Sequence, residues 1–338
     1  MLARLLRTCA LAATIAGCGG DDPAASDPTL GSSSAAADDA DAATTRADST
    51  GASSDAPDDE GSTSAASTGA DGALEAGSSD GSTGADLPDF DEIPWSTGDE
   101  IGYGIAYKDM LDPDAHSVFI GYAGYPFPLD ASQSWVRELW YARLRELGVR
   151  HVYAVQGPAD VPYSQLEIGN SHIATALTTQ LGDGGFVLVA AHSSGTYVAH
   201  ELLGQLVDGF DPQGVTAGNV VYFNLDGGLA GFDDAIGNHT RRSYFVSAFD
   251  GSTGSGAANR DAMQYAGDMW SAYGGYVELD ASASGCNAGA QWCLHMVVIN
   301  QLPHDPWDSS VDDYYDFVDR PVVTEYIDVK AADAGLGP

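Results

Sequence analysis

The stretch FVLVAAHSSGTYVAHELL, residues 186–203, joins an apolar run to a helical pattern at a serine whose surroundings could support chemistry. A serine on a tight strand-to-helix turn has its hydroxyl pushed into the open, and the residues two before and two after it must be small. Ala191 and Gly195 meet that demand on either side of Ser193. The helix that begins just behind the serine would point its positive dipole end at the place where an oxyanion forms. The pattern therefore predicts that Ser193 is a nucleophile.

The pentapeptide AHSSG, residues 191–195, resembles the nucleophile elbow of the α/β-hydrolase family, whose usual form is Gly-x-Ser-x-Gly. In particular, Ala-His-Ser-x-Gly is similar to the elbow of a group of small bacterial lipases, in which alanine also replaces the first glycine. The resemblance implies a catalytic triad in the chain order serine, acid, histidine. This chemistry requires neither a metal ion nor a cofactor, and we expect none.

The resemblance implies that the base for Ser193 comes from the last part of the chain, where His295 and His304 lie. Other histidines fall within strand or helix patterns, belong to the elbow itself, or come too early for the final loop. We predict His295, because it follows a glycine-rich loop and precedes an apolar helical stretch, MVVINQL, as the family's histidine precedes its final helix. A disulfide at Cys293, two residues before the imidazole, would hold that loop in place. His304, in LPHDP, is the alternative base.

Two aspartates end predicted strands after the elbow, and either could orient the imidazole. Asp250 ends SYFVSAFD, the second strand after the elbow, where most of the family carries its acid. Asp226 ends NVVYFNLD, the first strand after the elbow, and pancreatic-type lipases use that position. We predict Asp250 as the acid, with Asp226 as the alternative.

The oxyanion hole is expected to consist of backbone N–H groups, which stabilise the charge that develops on a carbonyl oxygen. In the family one N–H comes from the residue after the nucleophile, here Ser194, and one from the loop after the first strand. That loop reads GYAGY and lacks the family's His-Gly pair, but Ala123 or Gly124 can still donate, since the side chain is not what binds. The neighbouring aromatic side chains either line an acyl pocket or pack in the core; they are Tyr122, Tyr125 and Phe127.

The segments that must position these residues alternate between short apolar strands and amphipathic helices. Predicted strands cover residues 116–121, 151–156, 186–191, 219–226, 243–250 and 275–280, with an edge strand from 101–107. Predicted helices cover residues 132–147, 164–181, 194–207, 258–270, 295–302 and 311–320. Near-continuous apolar strands are typical of a parallel sheet that helices cover on both faces. The sequence thus predicts an α/β fold with a mostly parallel central sheet, which the elbow identifies as similar to the α/β-hydrolase fold.

The composition divides the chain into three parts. Residues 1–18 have the form of a signal peptide, residues 19–95 are mostly Ser, Ala, Gly, Thr and Asp, and residues 96–338 carry nearly all the aromatic side chains. The middle part cannot bury enough apolar surface to offset its ordering entropy, so we predict a disordered acidic linker. The last part fits one domain, which we predict to be a monomeric α/β-hydrolase domain.

The net charge limits the partners of the chain. With 13 basic and 49 acidic residues, the formal net charge is −36. Nucleic acid and anionic membrane surfaces both require positive charge on the protein that binds them. We therefore expect no nucleic acid partner, and contact with a membrane only through a lipid anchor.

The N-terminus carries a pattern for export and anchoring. Arg4 and Arg7 precede an apolar stretch, CALAATIAG, which is too short to span a bilayer and is typical of a signal peptide. The following IAGC resembles the lipobox of bacterial lipoproteins, which implies that Cys18 is lipidated and becomes the first residue of the mature chain. Gly19 rather than aspartate comes next, which favours the outer membrane over the inner one. We predict a lipid-anchored protein of the bacterial cell envelope, held away from the membrane by its linker.

Cysteine usage is consistent with export. Cys9 would leave with the signal peptide and Cys18 would take the lipid, which leaves Cys286 and Cys293 in an oxidising compartment. We predict a disulfide between them. Two thiols at this spacing lack a second ligand pair for zinc, so no metal site is expected.

The sequence supports two classes of function. The first is an exported serine hydrolase that cleaves carboxylic esters of small molecules or lipids through an acyl-enzyme on Ser193, and thioesters and peptides are substrates of the same chemistry. The second is a non-catalytic surface binding domain on a hydrolase scaffold, since a fold does not fix a function. The hydrolase is favoured, because each member of the triad has a candidate on the expected element.

Overall fold

The computed structural model describes the following parts of the chain: residues 87–96, 103–125, 127–158, 161–207, 219–251, 254–255, 259, 262, 266, 273–284, 286, 291–301 and 320–336. The predicted signal peptide with Cys18 lies outside the described residues, as does most of the predicted linker. His304 and almost all of the predicted helix at 311–320 lie outside them too.

A seven-stranded sheet forms the centre of the described structure. Its strands are β1 (Ile105–Asp109), β2 (Ser117–Tyr122), β3 (Val149–Val155), β4 (Val187–His192), β5 (Val220–Leu225), β6 (Arg242–Phe249) and β7 (Tyr273–Asp280). They lie in the order β1-β3-β2-β4-β5-β6-β7, with β1 antiparallel to β3 and every other neighbouring pair parallel. The carboxyl ends of the parallel strands therefore meet at one edge of the sheet.

The helices connect these strands across both faces of the sheet. They are α1 (Leu129–Trp135), α2 (Tyr141–Glu146), α3 (Tyr163–Gln180), α4 (Gly195–Val207), α5 (Asp234–His239), α6 (Gln291–Val297) and α7 (Pro321–Asp333). A π-helical turn, Val136–Trp140, joins α1 to α2. Among the helices described, none has the length and apolar character needed to cross a membrane.

The side chains of β4 show why both faces are covered. Leu188 packs in one apolar cluster and its neighbour Val189 in another, and both are fully buried. The first cluster includes residues of α1, α6 and α7, namely Trp135, Leu294 and Ile327. The second includes residues of α3, α4 and α5, namely Leu166, Leu202 and Ile236. The predicted α/β fold, a mostly parallel sheet with helices on both faces, is confirmed.

Helix α6 begins earlier than the sequence predicts. The prediction starts a helix at 295, whereas α6 spans Gln291–Val297, with Cys293, Leu294, Met296 and Val297 buried. These residues form an apolar face that starts before His295. The imidazole therefore projects from a helix and not from the end of the preceding loop.

The predicted boundary at residue 95 needs correction. Phe90 and Ile93, in the range predicted as linker, are buried in the core, and Ser96 pairs with Tyr107 on the edge strand β1. These side chains supply the apolar burial that the polar part of the linker lacks. Residues 87–95 therefore fold with the domain.

Lys108 on β1 binds the segment 87–95 to the sheet. Its side chain is only 2% exposed, and its ammonium group donates a 2.6 Å hydrogen bond to the carbonyl oxygen of Phe90. The same nitrogen lies 3.5 Å from the centroid of the Phe90 ring and 4.7 Å from that of Trp95, in the geometry of a cation–π contact. Burial lowers the pKa of Lys108 to about 8, because removing the ammonium from water disfavours its charged form.

This lowered pKa predicts a pH-dependent stability. The pKa of Lys108 is about 8 in the fold against an ordinary value of 10.5, so the unfolded chain binds more protons between these two pH values. The free energy of unfolding should therefore gain an increment as pH rises through this window. We expect Lys108→Met to remove that increment, which urea denaturation of both proteins at pH 7, 8, 9 and 10 measures. Parallel pH profiles for parent and variant would contradict the prediction.

Candidate active site

The bend between β4 and α4 holds Ser193, where the sequence predicts a nucleophile. Its backbone has a φ of 53°, in the left-handed region that is strained for a residue with a side chain. The bend is crowded, since a Cβ atom at Gly195 would lie 2.4 Å from the carbonyl oxygen of Ala123 and 2.7 Å from that of Tyr122. A strained backbone and a forced small neighbour are features of a nucleophile elbow.

The backbone of Ser193 is fixed while its hydroxyl is not. The N–H group of Ser193 donates to the carbonyl oxygen of Leu225 (3.2 Å), and its own carbonyl oxygen accepts from the Thr196 hydroxyl (2.7 Å). The side chain is partly exposed, and its hydroxyl makes no hydrogen bond to the residues described. Rotation about the Cα–Cβ bond can therefore direct the hydroxyl toward a base or toward substrate.

The predicted base contacts a carboxylate through one ring nitrogen. Nδ1 of His295 donates to Oδ2 of Asp226 at 2.5 Å, and the Asp226 side chain is 1% exposed against 14% for His295. Because the acceptor is a carboxylate, Nδ1 carries the proton, and Nε2 is left to accept one from a hydroxyl. The same carboxylate lies 3.4 Å from the side-chain nitrogen of Asn259. This is the arrangement by which an acid orients a catalytic imidazole.

The acid that contacts His295 is Asp226, the alternative, and not Asp250, which the sequence analysis preferred. The register of the sheet explains the difference. Leu225 on β5 pairs with Val246 on β6, so Asp226 stands level with Ser247. Asp250 lies three residues farther along the chain, about 10 Å beyond that level at roughly 3.3 Å per residue. Asp250, which directly follows β6, thus lies past the level at which Asp226 contacts the imidazole.

A disulfide lies beside His295. Cys286 and Cys293 are bonded, with their Cα atoms 5.7 Å apart, as the sequence predicts. Cys293 sits on α6 two residues before His295, so the bridge ties the helix that bears the imidazole to the chain that enters it. The other predicted base, His304, lies outside the described residues.

The prediction that the N–H group of Ala123 lies in an oxyanion hole is wrong. Its N–H group donates a 3.0 Å hydrogen bond to the carbonyl oxygen of Val155, which continues the pairing of β2 with β3. A donor committed to the sheet cannot also bind a developing oxyanion. No local pattern in the sequence indicates this, because the strand pairing continues one residue past the end of β2.

Gly124 and Ser194 keep the features expected of oxyanion-hole donors. Neither backbone N–H group donates a hydrogen bond within the described structure. A Cβ atom at Gly124 would lie 2.6 Å from Cβ of Ser193, so the loop after β2 runs directly over the bend. Ser194 stands at the entrance of α4, whose dipole adds positive potential there. Two free N–H groups therefore flank Ser193.

The aromatic residues near the site divide into core and surface. Tyr122 and Phe127 are buried, and the Tyr122 hydroxyl donates to Oδ1 of Asn170 at 2.7 Å, so both belong to the packing. Tyr125, on the loop over the bend, is 48% exposed. Trp292, which the sequence analysis did not single out, is 39% exposed, and its ring centroid lies 5.5 Å from that of His295. Exposed aromatic side chains therefore lie on the loop over the bend and beside His295.

His192 is a site residue that sequence reasoning missed, since it treated this position as the variable residue of the elbow. The side chain is buried and its Nε2–H donates to the backbone carbonyl oxygen of His295 at 3.2 Å. Burial lowers the pKa of His192 well below its ordinary value, so the ring stays neutral. One signal was available, because the histidine ends an apolar strand, FVLVAAH, where a buried position is expected.

Metal ligation finds no support in the described residues. No group of three or more His, Cys, Asp or Glu side chains there is arranged to hold a metal ion.

No protein-family model and no curated protein sequence matches the chain. Several solved structures are similar to it at low identity. A bifunctional GH43-CE protein of Bacteroides eggerthii is 11% identical with a TM-score of 0.37, over 53% of this chain and 33% of that one. Zea mays acyl-protein thioesterase 2 is 12% identical with a TM-score of 0.34, over 52% of this chain and 89% of that one. A CIB-like hydrolase of Thermoplasma acidophilum is 10% identical with a TM-score of 0.35, over 52% of this chain and 81% of that one.

The fold assignment rests on the topology. This chain spans only 33% of the Bacteroides protein, and TM-scores of 0.34 to 0.37 carry no conclusion about activity. The described chain has a mostly parallel sheet with an antiparallel edge strand, β1, and a strained bend after the central strand β4. These features are those of an α/β-hydrolase scaffold.

The close approach of Gly124 to the bend predicts intolerance of a side chain. A Cβ atom there would meet Cβ of Ser193 at 2.6 Å and the carbonyl oxygen of His192 at 3.1 Å. We expect Gly124→Ala to lower the free energy of unfolding by about 1–3 kcal/mol, the cost of overpacking. The matched control is Gly204→Ala in α4, where a Cβ atom has no neighbour within 4 Å. That change should stabilise the protein by about 0.5–1 kcal/mol, because alanine favours helix.

Chemical denaturation of the parent and both variants measures these differences. A Gly124→Ala protein as stable as the Gly204→Ala protein would show that the loop is not packed on the bend as the structure has it.

Proposed function

We propose that this chain is a serine hydrolase that cleaves carboxylic esters through an acyl-enzyme on Ser193. The observation that carries the proposal is the 2.5 Å contact between Nδ1 of His295 and Asp226 beside the strained serine. An ordinary strand-to-helix turn has no need of a buried carboxylate–imidazole pair next to it. Nucleophilic catalysis by serine requires such a pair.

In the proposed reaction, the Ser193 hydroxyl attacks the ester carbonyl and transfers its proton to Nε2 of His295. Asp226 accepts the Nδ1–H hydrogen bond throughout and stabilises the imidazolium that forms. The backbone N–H groups of Gly124 and Ser194 hold the oxyanion of the tetrahedral intermediate. That intermediate expels the alcohol, which takes the proton from His295, and leaves an acyl-serine. A water molecule then gives a proton to His295 and attacks the acyl carbon. The new tetrahedral intermediate breaks its bond to Oγ of Ser193, which takes the proton back from His295 as the acid is released.

The serine must turn toward the base for this reaction. Its hydroxyl has no hydrogen-bond partner in the described structure, while its backbone is fixed by Leu225 and Thr196. Catalytic hydrogen bonds often tighten only when substrate binds. The proposal therefore includes a rotation of the Ser193 side chain that forms the hydrogen bond to Nε2 of His295.

The surroundings favour neutral, apolar esters. The net charge of −36 disfavours anionic substrates, and exposed aromatic rings at Tyr125 and Trp292 offer apolar contact near the reacting atoms. Small-molecule and lipid esters fit this description. Thioesters and peptides undergo the same chemistry at such a site and are the alternative substrates.

We further propose that the enzyme is a monomer exported to the bacterial cell envelope and anchored by lipid on Cys18, in the outer membrane. The Cys286–Cys293 disulfide supports export, because disulfides persist in oxidising compartments. The polar composition of residues 19–86 supports the role of a spacer between anchor and domain.

The first test is covalent labelling. A fluorophosphonate probe phosphonylates activated serines, so the parent protein should be labelled and Ser193→Ala should not. Ser282→Ala removes an exposed serine hydroxyl elsewhere and should keep the label, which mass spectrometry of the intact proteins detects. If the folded parent protein takes no label, the serine is not activated, and the non-catalytic binding domain becomes the better reading.

The second test separates the two aspartates. Removing the acid charge of a triad lowers kcat by about 10⁴-fold in well-studied cases, so Asp226→Asn should reduce ester turnover by roughly 10³- to 10⁴-fold. Asp250→Asn should retain turnover within about tenfold, because a residue that does not contact the imidazole affects it only indirectly. Chromogenic esters of graded acyl length measure both variants, with thermal melting as the control for folding. The opposite ranking of the two variants would assign the acid to Asp250.

A further inference from the structure

Ser194 has a side-chain contact beyond its backbone role. Its Oγ accepts a 2.8 Å hydrogen bond from the backbone N–H of Tyr125, which lies 69 residues earlier in the chain. Tyr125 directly follows Gly124, whose free N–H is the proposed second oxyanion donor. The Ser194 hydroxyl therefore ties the loop that carries one donor to the residue that carries the other.

The hydrogen bond between Ser194 and Tyr125 constrains the distance between the two proposed donors, the N–H groups of Gly124 and Ser194. The oxyanion needs both N–H groups at about 2.7–3.1 Å, so their separation must be set before substrate arrives. Gly124 is held from the other side by its carbonyl oxygen, which accepts from the N–H of Phe127 at 2.9 Å. Both hydrogen bonds hold the peptide group between Gly124 and Tyr125, which directly follows the peptide group that bears the Gly124 donor.

His192 makes a corresponding contact on the other side of the nucleophile. Its Nε2–H donates to the carbonyl oxygen of His295, and the two rings pack with their centroids 4.5 Å apart. Nδ1 of His192 is buried and has no hydrogen-bond partner among the residues described, so the Nε2 contact is the polar contact of this ring. Because burial keeps the ring neutral, it carries a single N–H group. That group donates its hydrogen bond to the backbone carbonyl oxygen of His295.

We propose that the two residues flanking the nucleophile are positioning residues, with the Ser194 hydroxyl holding the oxyanion loop through Tyr125 and the His192 imidazole holding the backbone of His295. This rests on the proposed function. The tripeptide 192–194 then supplies the nucleophile at its centre and fixes a different partner of the reaction with each neighbouring side chain. The two variable positions of the pattern Gly-x-Ser-x-Gly are His192 and Ser194 in this chain, and the side chain of each positions another part of the proposed site.

The decisive variants are Ser194→Ala and Ser194→Thr. Alanine keeps the backbone N–H but removes the acceptor for Tyr125, whereas threonine keeps a hydroxyl at the same position. Small displacements of catalytic groups cost up to about 100-fold in rate, so we expect Ser194→Ala to lower kcat by about 10- to 100-fold with KM changed less than about threefold. Ser194→Thr should recover most of that loss.

A tetrahedral analogue supplies a readout that a merely structural role would not move. Phenylboronic acid forms a tetrahedral adduct on an activated serine, so its inhibition constant should rise in Ser194→Ala by about the same factor by which kcat falls. The KM for the ester, which reports ground-state binding, should stay nearly constant. Melting temperatures of the variants and parent monitor the fold.

The His192 contact is tested by His192→Gln and His192→Leu. Glutamine can donate a side-chain N–H to the His295 carbonyl, and leucine fills the space without a donor. We expect kcat to fall in the order parent, glutamine, leucine. His192 is buried, and where these variants do not fold the Ser194 pair decides the matter.

The outcomes separate this inference from the proposed function. A parent protein that neither reacts with a fluorophosphonate nor hydrolyses esters overturns the proposed function and this inference with it. An active parent with a Ser194→Ala variant within twofold of its kcat and boronate affinity overturns the positioning role alone. Equal losses in Ser194→Ala and Ser194→Thr overturn it too, because the shared hydroxyl would then have no part in the effect.

Discussion

The register between β4 and β5 is the constraint on which the site depends. His192 and Leu225 end these strands as a pair, and each strand then turns through a left-handed residue, Ser193 and Asp226, both with a φ of 53°. Two segments of the chain that turn at the same level of neighbouring strands place the side chains at their turns side by side. A slip of the register would separate Ser193 from the aspartate that contacts His295. Backbone pairing thus sets the relative positions of Ser193 and Asp226, two members of the proposed triad.

Close backbone approaches then complete the arrangement. A Cβ atom at two glycines around the bend would meet main-chain atoms. At Gly195 it would lie 2.4 Å from the carbonyl oxygen of Ala123, and at Gly227 it would lie 2.6 Å from that of Ser193. Packing of main chain on main chain leaves little room for local adjustment. The strain at Ser193 is held in place by these contacts and by the hydrogen bonds of its peptide groups. A rigid bend of this kind suits a nucleophile that must meet fixed partners.

The sequence predicted the fold class and the strained serine because both depend on local signals. Apolar runs predict buried parallel strands, and small residues around Ser193 predict a tight turn. The aspartate that contacts His295 was predicted wrongly, because Asp226 and Asp250 each end a predicted strand and only the register of β5 against β6 distinguishes them. The prediction of Ala123 as a donor was wrong for a similar reason, since the carbonyl oxygen that its N–H contacts belongs to Val155, 32 residues farther along the chain. The contacts of His192 and Ser194 join residues 103 and 69 positions apart, and no local pattern reports them.

The central claim is that Ser193, His295 and two backbone N–H groups surround one reacting carbon. The most direct measurement is a crystal structure of the protein after reaction with a phosphonate ester. The account predicts phosphorus bonded to Oγ of Ser193, a phosphoryl oxygen about 2.7–3.1 Å from the N–H groups of Gly124 and Ser194, and Nε2 of His295 within hydrogen-bond distance of that Oγ. A phosphoryl oxygen turned into solvent, or an imidazole remote from Oγ in the adduct, would contradict it.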